Sequence, residues 1–214
     1  MSDTARGLTG PAVVAAALAV VLNLPGAPPG PASPPPDFGP AAPVREAAAA
    51  GLPSGTGPHA DVPHRDPPPR RVLVRDVGLD ARIRPVGVTG QGAMVVPADA
   101  AVAGWYRFGP APGSTRGSAV LVGHVDSDTG DLGEFAVLYD VRTGDEVEVR
   151  RAGAEPVLYR VVSRSTMPKN ELPSSTFRRT GDPVLTLVTC APPFVPERGG
   201  YLANLVVTAE PLSG

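Results

Sequence analysis

Cysteine is almost absent from this chain, since its 214 residues hold a single one, Cys190. No intramolecular disulfide can form, even in an exported chain whose compartment would permit one, so the fold must be held by packing. Histidine is nearly as scarce. His59 and His64 lie in a proline-rich tract without a cysteine or carboxylate cluster at metal-ligand spacing, and only His124 lies outside it. The sequence implies neither a metal nor an organic cofactor. Charge is sparse and dispersed, with a formal net value of −2, which leaves no basic footprint for nucleic acid. The Arg70-Arg71 and Arg178-Arg179 pairs read as solvated surface charge. Helical periodicity longer than ten residues is also missing from Arg71 onward, apart from a short stretch near Leu132 to Tyr139.

Three regions of different composition remain. Residues 1–24 contain the uncharged run Leu8 to Leu24 behind Arg6, and the prolines that follow leave no clean small-x-small cleavage site. An N-terminal anchor retained in the membrane, with the following chain outside the cell, is the expectation, and a cleaved signal segment is the alternative. Residues 25–70 are rich in Pro, Gly and Ala, and sixteen of the 28 prolines precede Arg71. Such a tract lacks the side chains of a core and is expected to be a disordered, extended spacer.

Residues 71–214 alternate apolar and polar side chains in short runs separated by Gly, Pro and Asp. The pattern predicts strands at Arg71 to Arg75, Ala81 to Val86, Met94 to Val96, Ala119 to His124, Val147 to Arg150, Val157 to Ser163, Val184 to Cys190 and Leu205 to Ala209. Strands so spaced over about 140 residues argue for an all-β barrel or sandwich with one core. Two of these runs end on chemistry. Ala119-Val120-Leu121-Val122 leads into Gly123-His124-Val125-Asp126-Ser127, and Thr186-Leu187-Val188-Thr189 ends at Cys190. A thiol needs a proton partner to act as a nucleophile, and imidazole changes charge near neutral pH. Asp126, two residues past His124, is more suited to a turn or to solvent than to orienting the ring, as is Asp128.

These segments resemble the sortases, specifically the actinobacterial class F type. The resemblance extends to the Ala103-Gly104-Trp105-Tyr106 turn, to Phe135-Ala136-Val137-Leu138 followed by Gly144-Asp145-Glu146-Val147, and to Tyr201-Leu202-Ala203-Asn204-Leu205-Val206-Val207. It covers about Arg71 to Pro211. It implies an eight-stranded sortase-like β-barrel with short helices in its loops. It also implies a cysteine transpeptidase: Cys190 attacks an LPxTG-like sorting signal between Thr and Gly, a thioester acyl-enzyme forms, and a peptidoglycan precursor or other cell-wall amine accepts the protein. His124 would protonate the leaving amine and deprotonate the incoming one.

The family's oxyanion-binding arginine falls at Leu202 here, which is the main departure. The only arginine after Cys190 is Arg198, in the segment Phe194 to Gly200, which reads as a loop free to fold back on the thiol. Arg107 or the Ala191 amide are the other candidates, Pro192 and Pro193 having no N–H to offer. The competing reading is a membrane-tethered all-β binding module with a weak or lost active site. Papain-like peptidases are disfavoured, because there the cysteine precedes the histidine and opens a helix.

Overall fold

The computed structural model describes residues 33–40 and 66–212, apart from Gln91 and Asp128. The N-terminal segment 1–24 and most of the spacer therefore lie outside the described residues. Among those described, no helix is long and apolar enough to cross a membrane.

Eight strands close into one barrel: β1 (Pro69–Val74), β2 (Leu79–Val86), β3 (Val102–Tyr106), β4 (Ser118–Val122), β5 (Glu146–Arg151), β6 (Ala154–Pro168), β7 (Val184–Val195) and β8 (Gly200–Pro211). Around the barrel they run β1-β2-β3-β4-β7-β8-β6-β5. Most neighbours are antiparallel, but β2 pairs with β3, and β4 with β7, in parallel. The expectation of an all-β barrel is met. Its short helices are all 3-10 turns, of which Glu134–Tyr139 takes the place of the helix expected near Leu132 to Tyr139.

Period-two alternation explains the barrel wall. In β2, Leu79, Ala81 and Ile83 are buried while Asp80, Arg82 and Arg84 are exposed. The inward set packs with Leu121, Leu185, Leu187, Leu205 and Val207 into the main core, and Phe135 and Leu138 of the 3-10 turn enter it from one end. Every residue of β4 is buried, because its other face is covered too. There Val120, Val122, Val188 and Val206 form a second, smaller cluster outside the barrel, against Met94, Tyr106, Met167, Leu172 and Phe177.

Several expectations are corrected. Val102–Tyr106 is a strand, not a turn, and Met94 to Val96 is not one, since only an isolated bridge joins Met94 to Val88. β6 runs on to Pro168, and β7 to Val195, each past its expected end. The spacer is not uniformly without structure. Phe38 bridges to Arg164, where its N–H donates to Arg164 O at 2.9 Å and its O accepts from Arg164 N–H at 3.0 Å. The Arg164 guanidinium lies over the Phe38 ring and donates to the carbonyls of Pro36, Tyr139 and Val141. This segment takes the edge of β6 beyond Arg160, where pairing with β5 has ended. An open strand edge with unpaired amides is thereby covered.

Candidate active site

The carboxyl ends of β4 and β7 arrive together at one rim of the barrel. Val120 pairs with Thr186 and Val122 with Val188. Past the end of β4, Gly123 N–H still donates to Val188 O at 3.1 Å, and Thr189 Oγ1 donates to Gly123 O at 2.9 Å. Only glycine fits there, because a Cβ would fall 2.5 Å from the Phe135 ring. Two positions beyond the Val122 and Val188 pair, in matched register, come His124 and Cys190. Neighbouring strands lie about 4.8 Å apart, so the parallel pairing carries the two residues to the same level of the sheet. Both are half-buried.

Each is held by its neighbours. His124 Nε2 lies 2.8 Å from Pro97 O, and since a carbonyl only accepts, Nε2 carries the proton and Nδ1 is the free acceptor of the neutral ring. The Tyr139 hydroxyl donates to Cys190 O at 2.9 Å and fixes the backbone at the thiol; burial pushes this phenol up to about 12. Asp126 is spent elsewhere. Its Oδ2 accepts from the Tyr201 hydroxyl at 2.7 Å, in keeping with the expectation that it does not orient the imidazole. Burial, then that carboxylate, raise the Tyr201 phenol.

Burial also pushes the Cys190 thiol above its ordinary value, and the Asp126 carboxylate adds to the rise. The exposed Lys169 ammonium opposes both from nearby. Lys169 opens a 3-10 turn, Lys169–Glu171, directly after β6. It was not among the residues expected from the sequence. One compositional signal marks it: it is the only lysine in the chain, against eighteen arginines.

Arg198 is not brought to the thiol. What reads as a loop is a tight hairpin end: Phe194 pairs with Tyr201 and Val195 with Gly200, leaving Arg198 exposed in the 3-10 turn at the tip. Cys190 pairs with Asn204, so roughly 13 Å of β8 at about 3.3 Å per residue separates the level of the thiol from that tip. Arg107 stands at the other end of the sheet, just past β3, stacked 4.8 Å from the Phe108 ring centroid. Leu202 faces the Pro192-Pro193 stretch, where the β7–β8 register shifts.

Cys190 itself packs against the main core, and the outer cluster lies next along the sheet from it. Strand alternation puts Cys190 on the face of Val188, and Asn204 and Met167 continue that row across β8 and β6. From Met167 and Val206 a groove of about 350 Å³ runs away from the thiol, past Thr186, Thr208 and Val184 to Arg178, Asp182 and Glu210, with Pro173 and Thr176 on one side and Pro40 on its border. A half-buried thiol and an imidazole at one rim of the barrel suit nucleophilic attack on a peptide carbonyl. Among the described residues no group of His, Cys, Asp and Glu gathers as a metal site.

The Sortase domain family model matches residues 73–212, which is most of the barrel. Among solved structures, the chain is similar to sortase C2 of pilus island 1 of group B Streptococcus, at 22% identity and a TM-score of 0.51 over 67% of this chain and 73% of that one. It is also similar to a lid mutant of sortase A from Corynebacterium diphtheriae, at 20% identity and a TM-score of 0.53 over 71% and 75%. Sortase A of Listeria monocytogenes aligns at 22% identity and a TM-score of 0.50, over 67% of this chain and 86% of that one. At these identities the structural likeness concerns the fold. No curated protein matches the chain.

Proposed function

The chain belongs to the sortase family of cysteine transpeptidases, and from that premise we propose a class F-like enzyme that cleaves an LPxTG-like sorting signal and passes the protein to a cell-wall amine. Cys190 is the nucleophile in this reading and His124 its proton partner. The observation that supports it is the parallel β4–β7 register, whose last pair, Val122 and Val188, stands two residues before His124 and Cys190. As the sulfur adds to the threonyl carbonyl the thiol proton passes to His124, the amine leaves with that proton, and the second amine is deprotonated by His124 as it attacks the thioester.

Residues 1–24 serve as the single-pass membrane anchor and residues 25–70 as the spacer in this proposal, with the barrel outside the cell. The segment 33–40 pairs with β6 through Phe38.

Intact-protein mass spectrometry of the full chain mixed with LPxTG peptides tests the reading. The acyl adduct should appear on the wild type and vanish in Cys190→Ala and, at neutral pH, fall steeply in His124→Ala. A folded wild type that forms no adduct with any peptide of the panel would instead leave a tethered β module.

A further inference from the structure

The oxyanion formed when the thiolate adds to a carbonyl needs a cation or an aligned donor beside it. The position where the family pattern puts an arginine is Leu202, and Arg198 stands away at the hairpin tip. The end of β6 nevertheless supplies a cation near the thiol. On β8, Asn204 pairs with Cys190 on one side and with Met167 on the other, and Ala203 pairs with Ala191 and with Pro168. Lys169 follows directly after that last pair, in a 3-10 turn that packs against β8. Met167, two residues before Lys169, is directly opposed to Asn204 and lies in the outer cluster. Among the described residues Lys169 forms no salt bridge that would compete for its charge.

We infer that Lys169 is the catalytic cation of this site: it follows the strand beside the one whose Leu202 fills the arginine position, and its ammonium holds the negative charge as that charge passes from the Cys190 sulfur to the acyl oxygen. The inference rests on the transpeptidase reading for its substrate. As the S–C bond forms, the carbonyl π pair moves onto oxygen. As that pair returns, the C–N bond breaks and its electrons leave on the amine, which takes a proton from His124. Lys169 keeps its own proton throughout. A lysine serves as a compact point charge on a flexible stem, so it can follow the charge between two atoms without the fixed fork of an arginine. The titratable groups that act on the sulfur are Lys169 itself, Asp126 beyond β4, Tyr139 on the 3-10 turn and Tyr201 on β8.

Three variants of the full chain, Lys169→Met, Lys169→Arg and Arg198→Ala, are compared with wild type in peptide cleavage and in alkylation by iodoacetamide. Loss of one oxyanion donor costs about 100-fold or more in kcat. Lys169→Met should show that loss with KM little changed, Lys169→Arg should recover part of it, and Arg198→Ala should stay within about threefold of wild type. Alkylation needs no sorting peptide: Lys169→Met should react more slowly than wild type at pH 7, with its rise displaced to higher pH. If wild type cleaves no peptide, the transpeptidase reading fails on its own and alkylation decides for Lys169. Unchanged alkylation in Lys169→Met, or a kcat within about threefold of wild type, would overturn the inference.

Discussion

The two faces of β7 differ in kind, although adjacent residues supply them. Leu187 points into the main core among fully buried leucines and valines, while Val188 points into the outer cluster among half-buried Met167, Leu172, Tyr106 and Phe177. The inner face is closed on itself by the barrel. The outer one opens into the groove, which Met167 and Val206 of the outer cluster line. The inner face holds the fold together, and the outer one is free to bind.

Substitutions on the two faces should therefore separate stability from activity. The largest stability effect belongs to the inner face, where Leu187→Ala should cost about 3 kcal/mol in urea unfolding. A loss below about 1 kcal/mol would erase the contrast between the faces. On the outer side, Leu172→Ala should raise KM for a sorting peptide about tenfold, the worth of roughly 1.4 kcal/mol of apolar contact, while the urea midpoint barely moves. A midpoint shift as large as that of Leu187→Ala would show that the outer cluster is simply more core.

Tyr139→Phe tests the link between the faces, since the hydroxyl reaches from the core to the Cys190 carbonyl. It should cost about 1 kcal/mol at neutral pH. Its pH signature has a definite sign. The buried phenol titrates near 12 against 10.0 when free, so its contribution is complete below pH 10 and is lost as pH rises toward 12. Alkaline unfolding of Tyr139→Phe should therefore be less steep in that window. Smallest of all, Arg198→Ala at the exposed tip should move the urea midpoint by no more than about 0.5 kcal/mol.

The sequence was most readable where a run of apolar residues ended abruptly, and His124 and Cys190 stand at two such ends. Their pairing was not readable, because it depends on which strands neighbour each other in parallel. β3 was missed for a local reason. Gly104 looks like a turn residue, yet its missing Cβ makes room for the side chains of Val86 and Pro97, which such an atom would meet at 3.0 Å. The second half of β6, Ser163-Arg164-Ser165-Thr166, carries no apolar alternation, and backbone pairing with β8 and with Phe38 holds it. Lys169 was hidden for that reason, since nothing in its own sequence neighbourhood says that it ends a strand beside the nucleophile.

The parallel pairing of β4 with β7 also bears on how this chain comes to be active at all. β5, β6 and the loops between lie in sequence between the two strands, so joining them closes a long loop, a slow kind of contact to make. A partly folded molecule carries its thiol with no imidazole at its side. Catalytic competence therefore arrives with the completed barrel, and the gain of cleavage activity during refolding reports the docking of those two strands.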